Sequence, residues 1–143
     1  MSDRYFLDTN IIIYSFDDRD VQKQEIAKQL ITEGLLQNQA VISYQVVQEF
    51  VNVVTRKFST PLSVKDCQLY VDSILGPMWE VYSSKGLIRS ALDITERWQY
   101  PFYDSLIIAA ALEASCKILY SEDLQHEQKI YSLQILNPFT SPS

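Results

Sequence analysis

Tyr5-Phe6-Leu7-Asp8-Thr9-Asn10 stands near the start of the chain and decides how the rest is read. Tyr5, Phe6 and Leu7 form a short aromatic and aliphatic run, with charge on one side and Asp8 on the other. A run of this kind reads as a buried parallel strand. It ends in a carboxylate, a hydroxyl and an amide, and Ile11-Ile12-Ile13 follows at once. A strand that passes through polar residues into a helix leaves a crevice at its carboxyl end. In open α/β sheets ligands bind in that crevice. Asp8 is therefore expected at the middle of a site that later acids fold back to join.

Outward from this stretch, strands and helices alternate. The pattern predicts helices over 11–16 and 21–37, the second capped by Asp20, with Gly34 weakening its last turn. A buried strand over 40–42 leads into a helix over 44–58. Val46, Val47, Phe50, Val51 and Val54 form the core face of that helix, and Glu49 sits among them. Ser59-Thr60-Pro61 breaks the chain. Ser63 and Asp66 resemble a capping box, and Gly76-Pro77 is expected to stop the helix they start. A strand over 78–82, a helix over 85–98 and a loop over 99–102 come next. Tyr103-Asp104 then opens a helix over 105–115 that is nearly all apolar. Strands over 118–120 and 133–136 flank a polar segment. Strands joined by helical crossovers imply an α/β fold with a mainly parallel sheet and helices on both faces. No repeat or composition shift marks a second domain. A single domain over 1–139 and a frayed tail over 140–143 are expected.

The bulk composition narrows the function classes. The 143 residues are 47% hydrophobic and 21% charged, which is ordinary for one globular domain with a core of its own. Cys67 and Cys116 form neither a C-x-x-C pair nor a zinc spacing, and read as buried thiols in a reducing cytoplasm. No signal peptide is visible. The longest apolar run, over 106–112, is far short of the ~20 residues a membrane helix needs. The expectation is a soluble cytoplasmic protein with no membrane partner. The net charge of −6 argues against a large phosphate-gripping surface. Action on nucleic acid stays open if part of that charge is a metal-binding cluster that meets the phosphate.

The acids give that cluster a place. Asp8 lies just past the first strand and Asp123 just past the fourth. Asp104 starts the apolar helix, and Glu49 is early in the helix that leaves the second strand. Parallel topology puts all four near one sheet edge. Four carboxylates in one crevice repel unless some are protonated or cations are present. Hard oxygen ligands without His or Cys favour Mg²⁺ or Mn²⁺ over zinc. Such ions serve phosphoryl chemistry, and hydrolysis of a phosphodiester is the natural reaction. Taken singly, each acid has a plainer explanation. Asp8 is equally a helix cap, Asp104 suits the first turn of a helix, and Asp123 is in a polar loop. Glu49, set among valines, is the hardest to explain that way. Asn10 either orients Asp8 or makes an Asx turn. Ser121 is a substrate contact or a strand end. Glu122 competes with the adjacent Asp123. His126, the lone histidine, reads as surface, and Arg56-Lys57 as either an RNA contact or a helix C-terminal charge.

The pieces Leu7-Asp8-Thr9-Asn10, Gln48-Glu49-Phe50, Tyr103-Asp104-Ser105-Leu106-Ile107, Leu119-Tyr120-Ser121-Glu122-Asp123-Leu124 and Ile135-Leu136-Asn137-Pro138-Phe139 run in the order seen in PIN-domain proteins. The sequence resembles that family over essentially its whole length, and within it the VapC-type toxin ribonucleases. The resemblance implies a PIN-like three-layer α/β/α sandwich around a five-stranded parallel sheet, order 3-2-1-4-5. It implies Asp8, Glu49, Asp104 and Asp123 as catalytic, metal-binding acids, with Thr9 close to the metal-bound water or substrate and Asn10 and Ser121 in support. It also implies Mg²⁺- or Mn²⁺-dependent cleavage of single-stranded RNA, a homodimer, and a small cognate antitoxin. The alternative is a non-catalytic PIN-like module that binds RNA or protein. An aspartyl-phosphate enzyme fits poorly, because Asn10 stands where a D-x-D motif needs its second acid. No Walker loop is present.

Overall fold

The computed structural model describes residues 3–56 and 61–140. Six strands form one sheet: β1 (Tyr5–Leu7), β2 (Ala40–Ser43), β3 (Trp79–Val81), β4 (Ile118–Tyr120), β5 (Lys129–Ile130) and β6 (Leu133–Leu136). Their order is β3-β2-β1-β4-β6-β5. Every pairing is parallel except that of β5 with β6. The five expected strands therefore stand in the expected order 3-2-1-4-5. The short β5 is an addition, lying antiparallel on the edge of β6 in a stretch too polar to read as a strand.

β1 is the central strand. Its three residues, and all four of β2, are buried. Successive side chains of a strand point to opposite faces, so both faces of the sheet are covered. The helices that cover them are α1 (Thr9–Tyr14), α2 (Val21–Leu36), α3 (Tyr44–Arg56), α4 (Val64–Tyr70), α5 (Gly76–Met78), α6 (Lys85–Trp98) and α7 (Phe102–Glu113). α1 packs with α2 and α3, while α6 packs along α7 and α7 lies against β2 and β4. Phe50 stacks on Tyr70, Phe16 meets the Tyr70 ring edge to face and lies tilted to Phe50, and the three rings close the seam between the end of α1, α3 and α4. α7 is the apolar helix expected, with Ser105 and Ile107 through Ala111 buried.

Strand and helix ends differ from the reading of the sequence by a few residues, and three of these differences have a clear local cause. Gly76-Pro77 does not stop the helix. The chain passes through a π-helical turn, Val71–Leu75, and then through α5 to Met78 before β3 begins. A π turn widens the backbone ring just before Pro77, and Pro77 falls in the first turn of α5, where its missing N–H and its ring are tolerated. α1 begins at Thr9, not residue 11, because Asp8 caps it. α7 begins at Phe102, not residue 105, because Pro101 stands at its N-cap with φ −56° and the next residues enter the helix at once. The expected caps Asp20 and Ser63, and Ser84 ahead of α6, each accept from the backbone three residues on. The expected end of α3 beyond Arg56, the break at residues 59–60, Lys57 and the tail over 141–143 lie outside the described residues. Both cysteines are buried and unpaired with each other.

Gly34 has a packing role beyond its weak helix propensity. A Cβ there would meet the Cβ of Ala40 and lie 2.8 Å from the Tyr5 hydroxyl. The absent side chain lets α2 sit directly on β2, while Tyr5 Oη donates to the Leu30 carbonyl at 2.6 Å and pins the same helix to β1. Gly34→Ala is expected to lower stability by about 1–3 kcal/mol despite its gain in helix propensity. A denaturant melt of the variant against the wild type measures this.

Candidate active site

The carboxyl ends of β1 and β4 are held side by side. Leu7 is in register with Tyr120, and the Asp8 N–H continues the ladder by donating to the Tyr120 carbonyl at 3.0 Å. The next residue on each strand is then Asp8 or Ser121. Ser121 is fully buried and its Oγ donates to Asp8 Oδ2 at 2.7 Å. Asp8 Oδ1 accepts from the Thr9 N–H at 2.7 Å, and Asn10 Nδ2 approaches Oδ2 at 3.4 Å. Asp8 is thus both the cap of α1 and the centre of a hydrogen-bonded cluster at the sheet edge.

The other acids gather around it. Glu49 reaches over from α3, where its Oε1 accepts from Thr9 Oγ1 at 2.5 Å and its Oε2 from Gln45 Nε2 at 3.3 Å. These bonds explain how a carboxylate is tolerated beside the core face of α3. Asp123, exposed at the end of β4, accepts from Asn10 Nδ2 at 2.9 Å, and its own N–H donates to Ser121 Oγ at 3.2 Å. Asp104 stands half-buried in the first turn of α7. That turn is fixed by Ser105, whose Oγ accepts from Thr95 Oγ1 on α6 at 2.8 Å and donates to the Tyr100 carbonyl.

The acids feel one another. Burial pushes Asp8 from its ordinary 3.8 up to about 6, and the negative charges of Glu49 and Asp123 push the same way against the bonds from Ser121 and Thr9. Asp104 is also raised, first by burial and then by Asp123 and Glu49. The four positions therefore share one electrostatic neighbourhood. Among the described residues, however, no three carboxylates converge as a ready ligand set. Glu49 is held by Thr9, and Asp123 by Asn10. Hard oxygen donors gathered at one edge are a donor set suited to a divalent cation, and neutral hydroxyl and amide donors hold Asp8, Glu49 and Asp123 where they stand.

Two neighbours that the sequence left open are placed clearly. Glu122 turns away from the cluster. It is paired with Lys23 of α2, and Tyr14 Oη donates to its Oε1 at 2.5 Å. Burial would raise its proton affinity, but Lys23 and Tyr14 outweigh that and hold it below the usual carboxylate range. Its N–H donates to Asn10 Oδ1 at 3.3 Å, so Asn10 binds the ends of β1 and β4 together from both ends of its amide. His126 is away from these acids, where its Nδ1 accepts from the Asn137 N–H at 2.9 Å. The Tyr14–Lys23–Glu122 clamp had no local signal in the sequence. Gln45 did carry one, since it stands four residues before Glu49 on a helix.

The family model described as PIN domain matches residues 5–129. No curated protein matches the chain. Among solved structures, a toxin–antitoxin complex from Klebsiella pneumoniae is similar at 16% identity and TM-score 0.66, over 94% of this chain and 98% of that one. VapBC2 from Rickettsia felis, bound to a DNA fragment from its promoter, is similar at 20% identity and TM-score 0.60, over 92% and 96%. VapC20 from Mycobacterium tuberculosis, a sarcin-ricin-loop-cleaving toxin, is similar at 17% identity and TM-score 0.60, over 83% and 89%. At these identities the likeness is one of fold.

The raised proton affinity of Asp8 has a consequence for stability. A carboxyl that binds its proton more tightly folded than unfolded stabilises the fold below its ordinary value, and this contribution is lost as pH rises. Without metal, stability should therefore fall as pH climbs from about 4 through 6. Asp8→Asn should flatten this slope and raise stability near pH 7 by about 1–2 kcal/mol. Urea melts of both proteins with EDTA, across that pH range, check it.

Proposed function

The chain belongs to the PIN-domain family, and from that premise we propose that it is a divalent-metal-dependent endoribonuclease that hydrolyses single-stranded RNA. The observation that supports this best is the gathering of acids at one sheet edge, where burial and then the charges of Glu49 and Asp123 raise the proton affinity of Asp8 and Asp104. Asp8, Glu49, Asp104 and Asp123 would hold Mg²⁺ or Mn²⁺. The bound ion would supply an activated water, orientation of the phosphate and stabilisation of the leaving oxygen.

The remaining steps belong to the chain. Ser121 and the Thr9 N–H fix both oxygens of Asp8, so the central carboxylate has one orientation. Thr9 Oγ1 holds Glu49, and on this reading it would stand close to the metal-bound water or substrate. Asn10 sets Asp123 against Asp8. The Glu122–Lys23 pair removes a fifth acid from the cluster and so limits its repulsion. In-line attack by water would leave a 5′-phosphate and a 3′-hydroxyl.

The same reading includes partners. The Klebsiella pneumoniae structure is a toxin–antitoxin complex. This chain would likewise act as the toxin of such a pair, in the cytoplasm, with a small cognate antitoxin. Ile88 and Leu92, one turn apart on α6 and both exposed, suit a homodimer contact. Among the described residues no helix is long and apolar enough to cross a membrane.

Purified protein with single-stranded RNA and Mg²⁺ or Mn²⁺ should give 5′-phosphorylated fragments, and EDTA should stop the reaction. Asp8→Asn and Asp104→Asn should lose at least about a hundredfold in rate with their circular dichroism unchanged. RNA that is bound but stays intact with either metal would instead support a non-catalytic RNA-binding module. A second readout is independent of turnover. Millimolar Mg²⁺ should raise the melting temperature of the wild type near pH 7 and leave that of Asp8→Asn nearly unmoved.

A further inference from the structure

Next to the acids, on the β2–β3 side, the same sheet edge carries a notch of about 150 Å³ whose rim includes Tyr44, Tyr82, Tyr103 and Gln48. The three tyrosines are 39%, 59% and 68% exposed. Exposed aromatic rings gathered round one cavity are a contact surface in waiting, since each leaves apolar area in water. Each also stands where the topology puts function. Tyr44 follows β2 and opens α3, Tyr82 follows β3, and Tyr103 immediately precedes Asp104.

The notch is built, not loose. Trp79 stacks on Tyr82 at 5.2 Å between ring centroids and 29° between planes, and lies 5.9 Å from Tyr44. One indole thus braces two of the three rings. Gln45 joins the notch to the acids, because its Nε2 donates both to the Tyr103 carbonyl at 3.1 Å and to Glu49 Oε2 at 3.3 Å. The two features share a side chain and a helix turn.

We propose that this notch is a base-stacking subsite, which holds one nucleobase of single-stranded RNA beside the phosphate that is cut. The proposal rests on the nuclease reading and names how the strand is held. Aromatic faces accept any base by stacking, and the exposed Gln48 amide offers a donor and an acceptor to a base edge. The notch has room for one ring system and too little for a folded segment of protein. Charge points the same way. A chain of net charge −6 has little phosphate neutralisation to offer, so affinity for a strand has to come from its bases.

Fluorescence anisotropy of a 5′-labelled single-stranded RNA, with EDTA present so that nothing is cut, tests it. Tyr103→Ala and Tyr82→Ala should each bind about tenfold more weakly, while Tyr103→Phe stays near wild type because its ring remains. An RNA made abasic at one position should lose the same factor with wild type and little more with Tyr103→Ala. If both alanine variants bind like wild type while wild type cuts RNA with Mg²⁺, the subsite is wrong and the nuclease reading stands. A phenylalanine variant as weak as the alanine one also overturns stacking. Unchanged RNA affinity together with lost capture of a protein partner would assign the notch to that partner instead. Wild type that neither binds nor cuts RNA removes the nuclease reading and the subsite with it.

Discussion

The parallel pairing of β1 with β4 is the constraint on which the site depends. Leu7 lies opposite Tyr120, so the next residues, Asp8 and Ser121, leave the sheet side by side. The Ser121 hydroxyl then reaches the Asp8 carboxylate, and the Asp123 N–H reaches the same hydroxyl. A slip of one residue in that pairing would carry Ser121 to the other face of the sheet and separate Asp8 from Asp123. The register is held by packing, because Phe6, Leu7 and Leu119 are fully buried on a sheet covered on both faces, and a slip would take each out of the space shaped for it. The hydrophobic pattern of two three-residue strands therefore fixes the position of polar groups that contribute nothing to the core.

Those polar groups oppose folding in one respect and stabilise it in another. Burial and the neighbouring charges of Glu49 and Asp123 disfavour the ionised form of Asp8. Thr9, Ser121 and Asn10 offset part of that with neutral donors, which add no charge of their own. A lysine in their place would cancel part of the cluster's charge and, on the proposed reading, compete with a bound cation. The chain does use that device beside the cluster, one residue from Asp123, where Lys23 is paired with Glu122 and withdraws it from the edge. Adjacent acids thus receive opposite treatment. One is silenced by a fixed ammonium, and the other is left with its charge unmatched. On the proposed reading, this unmatched charge is a cost in stability kept for function.

How much of this is legible in the sequence depends on the range of the interaction involved. Strand existence and order are readable, since Tyr5–Leu7, Ala40–Ser43 and Ile118–Tyr120 are short apolar runs between helical patterns. That Asp8, Glu49, Asp104 and Asp123 share one edge is readable too, because parallel crossovers return every strand end to the same side. β5 is not readable. Lys129 and Ile130 form a strand only because β6 offers them an edge. The helix running past Gly76-Pro77 is hidden for a related reason, since a π turn is set by packing and not by composition. The Tyr14–Lys23–Glu122 contact joins residues about a hundred positions apart, and no local pattern announces it. Gly34 reads as a weak helix residue, and its closeness to Ala40 is seen only once α2 is laid on β2.

Charge sets the last condition on any strand that comes to this edge. The cluster repels phosphate unless cations stand in it, and the chain as a whole adds to that repulsion at long range. On the proposed reading, local attraction would come from a cation at one end and from uncharged contacts at the other. The two lie close together by construction. Tyr103 and Asp104 are consecutive in the first turn of α7, and Gln45 and Glu49 are one turn apart on α3 with a hydrogen bond between them. Moving either helix would shift the aromatic rim and the acids together, so the spacing between them is held by the helices themselves. On the proposed reading, that fixed spacing measures the distance from a held base to the phosphate beside it. It would act as a ruler for single strands, because a base paired in a duplex has no free face to offer the rings.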